Sequence, residues 1–366
     1  MTHGDRAQPV EMEVASGSRP PDAARFPLSV RNLRVEFPTE DGVVSAVDDI
    51  SFDLARGEVL GIVGESGSGK TVMSMAILGL LPKSAKLSGE VFIGSDNVLL
   101  WSEKLLQPLR GRRVAMVFQD ALAALNPVHT IGHQIAEAIT VHHHDLSKQV
   151  VHEKVIALLD LVGIPNAARR ADEYPHEYSG GMRQRAMIAM SIANDPEILI
   201  ADEPTTALDV TIQAQVLDVL ERIQERTSSS IVLITHDLGV VAGMADRVMV
   251  MYAGRQAEIG TVDDVFYRPR HPYTLGLLAS LARIDRSSKA ERLYRIDGQP
   301  PSLIHVPPGC PFHPRCFHAN LPGPCATERP AFLPAAGDPG HRAACHFSET
   351  LEGVTVDSLR ARMSSA

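Results

Sequence analysis

The sequence predicts an α/β fold: a parallel sheet of buried strands with helices between them, and a phosphate-cradling loop where one strand turns into a helix. Three observations predict it. Four short apolar runs, Glu58 to Val63, Val114 to Phe118, Ile198 to Ala201 and Ile231 to Thr235, read as strands buried on both faces, as parallel strands are. Helical patterns follow several of them, which is the alternation of a sheet covered by helices. Between the first run and the helical stretch TVMSMAILGL lies a glycine-rich loop at residues 64–71.

Composition bounds the rest. The chain has 366 residues, 44% of them hydrophobic and 22% charged, which suits one large or two modest globular domains. Its formal net charge of −9 gives no electrostatic footprint for a nucleic-acid partner. No run of eighteen apolar residues occurs, so no membrane span is expected. Residues 1–26 are polar, rich in Pro, Ala and Ser, and lack the apolar core of a secretory signal. A disordered leader is expected there, with the protein in the cytosol, where cysteines remain thiols or bind metals.

Taken in order, the leader is followed by Leu28 to Phe37 and Val43 to Leu54, which alternate apolar and polar residues. They read as antiparallel strands with one wet face. Residues 128–174 are helical in pattern and carry several His and charged residues, as a helical insertion would; its expected extent is about 125–190. His142, His143 and His144 read as a solvated helical surface, because adjacent helical residues point in different directions. The main domain is expected to run over 27–265, with a C-terminal extension over 266–366. Eleven of the 25 prolines fall between Pro300 and Pro339. They forbid long helices and central strands there, so a loop-built segment is expected. No internal repeat is visible.

Gly64-Glu65-Ser66-Gly67-Ser68-Gly69-Lys70-Thr71 fits the pattern G-x-x-x-x-G-K-[ST]. Its glycines let the backbone turn tightly and aim N–H groups at phosphate oxygens. The following helix adds its positive amino end. Lys70 would reach the β- and γ-phosphates, and the Thr71 hydroxyl would coordinate Mg²⁺. The run Ile198 to Ala201 ends in Asp202-Glu203. In a parallel sheet the ligand sits beyond the carboxyl ends of the strands, so both acids emerge at the phosphates. Asp202 is expected to help hold Mg²⁺, and Glu203 to accept a proton from, or orient, the attacking water. His236 ends the run IVLITH and would hydrogen-bond the γ-phosphate. Gln119 ends VAMVFQ and would bridge Mg²⁺ or the lytic water.

Tyr178-Ser179-Gly180-Gly181-Met182-Arg183-Gln184-Arg185 resembles the ABC signature, usually written LSGGQ, which ordinary P-loop NTPases lack. The order also resembles that family: phosphate loop, Gln119, signature, Asp202-Glu203, the Ala207-Leu208-Asp209 turn, then His236. The resemblance covers residues 28–260. It implies a P-loop NTPase of the ABC nucleotide-binding type, with a RecA-like parallel core, an antiparallel β subdomain and a helical insertion. It implies ATP hydrolysis with ATP and Mg²⁺ as cofactors. In this family the signature end, here Tyr178, Ser179, Gly180 and Gly181, closes over the ATP held by a partner's phosphate loop. A dimer with two sandwiched ATPs follows, with Asp209 communicating between the sites. The family also stacks adenine on an aromatic residue ahead of the phosphate loop; Phe37 is placed for this, or is a core phenylalanine.

PHEYSGGMRQR and FQDALAALNPVHTIGHQI are similar to the ATP-binding subunits of dipeptide and oligopeptide importers. Two departures, Ala121 for Pro and His133 for Glu, fall near the face expected to meet a membrane subunit. Arg270-His271-Pro272-Tyr273-Thr274, followed by LGLLASL, and IDGQPPSL at 296–303 resemble that group's C-terminal extension. The resemblance implies a motor for import of di- or oligopeptides, or of nickel or another small solute. A soluble, non-transport ABC ATPase is the second class. The implied partners are a second, homologous ATPase subunit in a heterodimer (a second copy of this chain being the alternative), two permease subunits and an extracytoplasmic peptide-binding protein. The implied location is the cytoplasmic face of the membrane, as a peripheral subunit.

All four cysteines lie in the tail: Cys310, Cys316, Cys325 and Cys345, spaced C-x5-C-x8-C-x19-C. A Cys₄ set holds zinc or an iron–sulfur cluster. The absence of C-x-x-C weakens a zinc ribbon, and the resemblance favours [4Fe–4S]. His313, His318, His341 and His346 lie near enough in sequence to replace a ligand.

Overall fold

The structure is a computed structural model and describes residues 22–206, 208–280, 295–335 and 337–359. Most of the expected leader and Ala207 of the expected turn lie outside the described residues. Residues 22–26 form a turn in which the Arg25 and Phe26 N–H groups donate to the Asp22 carbonyl at 3.0 and 2.8 Å. The Arg56 N–H ties this turn down by donating to the Arg25 carbonyl at 3.0 Å. The ordered domain therefore begins before residue 27.

Strands β1 (Leu28–Thr39) and β2 (Gly42–Leu54) pair antiparallel from Thr39↔Gly42 to Leu28↔Leu54. Leu28 to Val30 are buried; after an irregularity at Asn32 (φ +47°), Leu33 and Val35 are buried while Asn32 and Arg34 are exposed, so one face is wet and the alternation changes parity at the bulge. Strand β3 (Val59–Val63) opens the larger sheet and leads through the glycine-rich loop into helix α1 (Lys70–Ile77). Strands β4 (Lys86–Ile93) and β5 (Asp96–Asn97) return to the first sheet, whose order is β2-β1-β4-β5. A short helix, α2 (Glu103–Leu106), precedes β6 (Val114–Val117).

The insertion follows as α3 (Ala121–Ala124), α4 (Ile131–Thr140), α5 (Lys148–Leu161), α6 (Ala167–Arg170) and α7 (Gly180–Ser191). Ile131, Ile135 and Ile139 of α4 are buried, as are Val151, Val155 and Leu159 of α5. Each set recurs every four residues and forms one apolar stripe. Thr130 and Ser147 cap these helices by accepting the N–H groups of His133 and Val150, both at 3.3 Å. His142 to His144 lie in the turn after α4 rather than on a helix.

Then come β7 (Ile198–Asp202), α8 (Val210–Thr227), β8 (Ser230–Ile234), α9 (Leu238–Met244), β9 (Arg247–Tyr252), β10 (Arg255–Thr261), α10 (Val262–Tyr267) and α11 (Pro272–Ser280). The chain adds α12 (Pro324–Thr327), β11 (Leu333–Ala335) and β12 (Asp338–Ala343). The larger sheet has the order β11-β12-β10-β9-β3-β8-β7-β6. Strands β9, β3, β8, β7 and β6 run parallel to one another. Successive residues of these strands enter different cores. Val59, Ala115, Leu199, Ile231 and Leu233 pack against the insertion helices and α8. Leu60, Ile62, Met116, Ile200 and Val232 pack against α1 and the antiparallel sheet. Both faces are covered, so the sequence shows no alternation in these strands.

The extension is mostly loop, but it also adds two short strands to the larger sheet. Its β12 pairs with β10 through Glu258↔Ala343 and Ile259↔Arg342, and β11 forms the outer edge. Pro339 lies outside the stretch paired with β10, and Pro334 sits on the edge strand, where a missing N–H is tolerated. Glu258 is fully buried and accepts the N–H groups of Arg270 at 2.7 Å and His271 at 3.1 Å. His341 of β12 contacts the same carboxylate through Nε2 at 2.7 Å. A carboxylate thus meets the amino end of α11, where Pro272 takes the first helical position. Burial lowers the His271 pKa to about 4, so its ring is neutral, and Nδ1 accepts the Tyr273 N–H at 3.1 Å. Replacing Glu258 by Ala leaves these buried donors unpaired. Urea denaturation of Glu258→Ala should show a loss of about 3 kcal/mol; a loss below about 0.5 kcal/mol would mean the network does not hold the extension in place.

Candidate functional site

The glycine-rich loop joins a fully buried strand to a helix that starts at Lys70. Two of its glycines are required by close approach. Gly64 has φ +156° and Gly69 φ +98°; an added Cβ would strike the Met251 carbonyl at the first and the Ala46 carbonyl at the second. Ser66 and Gly67 are exposed at the loop's mouth, while Ser68 is buried. Lys70 is 6% exposed. Its Nζ donates to the carbonyls of Gly64 at 2.8 Å and Glu65 at 3.1 Å, and to Ser68 Oγ at 3.4 Å. Burial pulls its pKa down, and the charges of Glu203, Asp202 and Glu65 oppose this. Among the described residues it has no ion pair, so an ammonium sits in the loop with carbonyl and hydroxyl partners. An anionic phosphate would supply a direct counter-charge.

Asp202 ends β7 and is 2% exposed. Burial pushes its pKa up and Glu203 adds to this, while a hydrogen bond from Thr71 and the Lys70 charge pull it down. Its Oδ1 is buried without a hydrogen-bond partner. A carboxylate oxygen left bare beside a threonine hydroxyl fits a hard divalent cation. Glu203 follows in the left-handed region at φ +47°, an unusual conformation for a residue with a side chain. Its N–H donates to the Ile234 carbonyl at 2.8 Å. Its Oε2 gathers three groups: Thr206 Oγ1 at 2.8 Å, Gln119 Nε2 at 3.1 Å and His236 Nδ1 at 3.6 Å. The residues singled out at three separate strand ends thus meet on one carboxylate oxygen. Thr206 was missed, because a threonine in a polar turn carries no distinguishing sequence signal.

Ser179 caps α7, accepting the Met182 N–H at 3.3 Å. The space around Gly180 is open, whereas a Cβ on Gly181 would press on Ile212. Tyr178 is a correction: it is 3% exposed, and its hydroxyl donates to the Arg170 carbonyl at 2.9 Å. Burial raises its pKa to about 12. Its side chain is part of the insertion's core and is not presented to a nucleotide. Asp209 is exposed and caps α8 by accepting the Ile212 N–H at 3.0 Å. Phe37 is half-buried and packs on the core beneath the antiparallel sheet. It pairs with Val44, two residues from the Ala46 carbonyl that closes over Gly69.

Glu65 is a second correction. Its carboxylate is held by Arg315 at 2.6 and 2.9 Å, and its N–H donates to the Tyr273 hydroxyl at 2.9 Å. Neither group is directed to a phosphate. Of the two departures, Ala121 is buried, while His133 is exposed and stacked on His129 with ring centroids 4.7 Å apart. Only His133 of the two departures lies at a surface.

All four cysteines are free. The Cys310 N–H donates to the Cys325 carbonyl at 2.9 Å. Burial pushes the Cys316 and Cys345 thiols up to about 12, and neighbouring thiols add to the rise. The four sulfurs are therefore near enough to sense one another. Yet among the described residues no three His, Cys, Asp or Glu side chains stand close enough to hold one metal ion. The nearby histidines have other partners: His313 with the Cys310 carbonyl at 2.9 Å, His318 with Thr350 Oγ1 at 2.7 Å, His346 with the Glu328 carbonyl at 2.8 Å, and His341 with Glu258.

Residues 47–206 match the ABC transporter family, and residues 257–321 match the oligopeptide/dipeptide transporter C-terminal region. The dipeptide transport ATP-binding protein DppD of Bacillus subtilis is 53% identical over 291 residues, covering 79% of this chain and 86% of that protein. The chain belongs to the ABC transporter ATP-binding family. The oligopeptide transport ATP-binding protein OppD of Salmonella typhimurium is 47% identical to this ABC ATPase over 304 residues, covering 83% of it and 90% of the relative. The dimeric structure of MJ0796, a bacterial ABC transporter cassette, superposes with a TM-score of 0.59 at 25% identity, over 64% of this chain and 98% of that one. ABC ATPases bind ATP with Mg²⁺ and hydrolyse it in step with transport. Among the described residues no helix is long and apolar enough to cross a membrane.

Two substitutions test the site in the purified ABC ATPase. Lys70→Ala should weaken ATP binding at least about tenfold; unchanged affinity by calorimetry would contradict the loop geometry. Glu203→Gln keeps a partner for Thr206 and should still bind ATP, with turnover falling by about 100-fold or more. Phosphate release at the wild-type rate would remove Glu203 from the chemistry.

Proposed function

We propose that the chain energises an importer for dipeptides or oligopeptides, as a peripheral subunit on the cytoplasmic face of the membrane. The observation that carries this is the match of residues 257–321 to the oligopeptide/dipeptide transporter C-terminal region, joined to relatives named for dipeptide and oligopeptide transport. In this reading Lys70 and the loop amides hold the phosphates, and Thr71, Asp202 and Gln119 hold Mg²⁺. Glu203 activates water, with Gln119, Thr206 and His236 fixing its carboxylate. Phe37 stacks the adenine. Ser179, Gly180 and Gly181 close over the ATP of a second ATPase subunit. The open space at Gly180 and the exposed Asp209 support such a dimer.

Two permease subunits meet the insertion, and an extracytoplasmic binding protein delivers the cargo. Exposed Leu122 and Val128 near the insertion's start, at 59% and 71%, support a partner on that face. Uptake of labelled peptides and of nickel, measured in cells lacking this chain, decides the cargo. Loss of peptide uptake alone supports the proposal, whereas loss of nickel uptake alone replaces peptide with nickel. Co-purification with integral membrane subunits is expected; their absence would favour a soluble ATPase.

The extension holds a cluster or metal on Cys310, Cys316, Cys325 and Cys345. The spacing without C-x-x-C and the four free thiols of one segment support a [4Fe–4S] cluster over a zinc ribbon in this reading. Anaerobic purification should yield about four irons and four sulfides per chain, lost together in Cys316→Ser. Stoichiometric zinc without iron would make the site a zinc staple.

A further inference from the structure

The ion pair between Glu65 and Arg315 joins the phosphate loop to a residue 250 positions later in the sequence. We propose that Arg315 and Tyr273, both in the C-terminal extension, are positioning residues for nucleotide binding. They hold the entry limb of the phosphate loop in its binding shape, so the extension sets this subunit's affinity for ATP.

The contacts are specific. Arg315 grips both oxygens of Glu65, from Nη1 at 2.6 Å and from Nη2 at 2.9 Å. Nη1 also donates to the Tyr252 hydroxyl at 3.3 Å, and Nε to the Asp297 carbonyl at 3.0 Å. One guanidinium thereby bonds the loop, the end of β9 and the start of the Pro-rich segment. Its side chain is 5% exposed. An exposed ion pair would count for little, but this one is bidentate, shielded and uses every nitrogen of the fork. Tyr273 is fully buried against Tyr252 and Phe312, with ring centroids 4.6 and 5.3 Å away. It presents its hydroxyl oxygen to the Glu65 N–H. The network on Glu258 sets its position: that carboxylate fixes the backbone at Arg270 and His271, and the His271 ring accepts the Tyr273 N–H.

The clamp acts on the residues that place Lys70. The ammonium is held by the carbonyls of Gly64 and Glu65, and Glu65 is the residue anchored from both its N–H and its side chain. A loop fixed before the ligand arrives loses less freedom on binding, and affinity rises accordingly. Neither Arg315 nor Tyr273 contacts the carboxylate oxygen on which Gln119, Thr206 and His236 converge. Their effect therefore falls on nucleotide affinity rather than on the hydrolytic step.

The test uses the purified full-length chain, with iron and zinc measured in every variant so that a lost metal is not mistaken for a lost clamp. Calorimetric titration with ADP and Mg²⁺ should show Arg315→Ala weakened about tenfold, and Arg315→Lys, which keeps the charge without the fork, by about threefold. Tyr273→Phe removes one oxygen and should cost about threefold. Glu65→Ala should match Arg315→Ala, and the double variant should be no weaker than either single one, because both remove the same contact. In the assembled transporter KM for ATP should rise while kcat at saturating ATP stays within about twofold. Affinity within about twofold of wild type in an Arg315→Ala protein of normal melting temperature and metal content would overturn the proposal. So would additive losses in the double variant, or a fall in kcat with KM unchanged. If Arg315→Ala does not fold, Tyr273→Phe and Glu65→Gln decide alone, and wild-type affinity in both overturns it.

Discussion

A parallel strand buried on both faces leaves only its ends free for chemistry, and this constraint organises the nucleotide site. Side chains of β3, β6, β7 and β8 are buried in the surrounding cores, and their polar members, Ser230 and Asp202, stand only at strand ends. Polar residues gather where those strands stop. Residues 64–71 follow β3, Gln119 follows β6, Asp202 and Glu203 close β7, and His236 follows β8. Because these strands run the same way, their carboxyl ends share one edge. The convergence on Glu203 Oε2 is therefore a consequence of topology before it is a feature of any one residue.

The charges at that edge are held short of full compensation. Lys70 is buried among carbonyls and Asp202 keeps an oxygen without a partner. Burial disfavours the charged form of each, pulling the lysine pKa down and the aspartate pKa up. An isolated buried charge is costly unless it is paired. The two deficits have opposite sign, and in the proposed reading ATP with a divalent cation would offset both: phosphate oxygens for the ammonium, the cation for the carboxylate.

Much of this was legible in the sequence, because local pattern encodes it. The four apolar runs became β3, β6, β7 and β8, and each strand-end residue stands where its run stops. Side-chain direction was not legible. Tyr178 belongs to the signature string, yet it turns into the insertion's core, and nothing in a motif distinguishes a residue that faces a ligand from one that supports it. Glu65 sits inside the phosphate pattern but is taken by Arg315, a partner that no local window contains. The prolines of the tail did exclude long elements. They did not exclude short strands added to an existing edge, because β10 already presented one.

That added edge changes what the extension is. Its largest aromatic and aliphatic residues join the sheet's core: Tyr273, Phe312 and Ile296 pack with Val63, Val248, Val250 and Tyr252, while a small cluster of Leu275, Ala279 and Leu359 is its own. Its strand β12 needs β10 to pair with, and its helix α11 starts on Glu258 of that same strand. The segment's short strands and helix α11 are thus ordered by contact with the sheet. The chain beyond residue 265 therefore packs directly on the nucleotide-binding sheet. Segments ordered by contact with the catalytic sheet are in mechanical register with it, and through Arg315 and Tyr273 that register reaches the second residue of the phosphate loop.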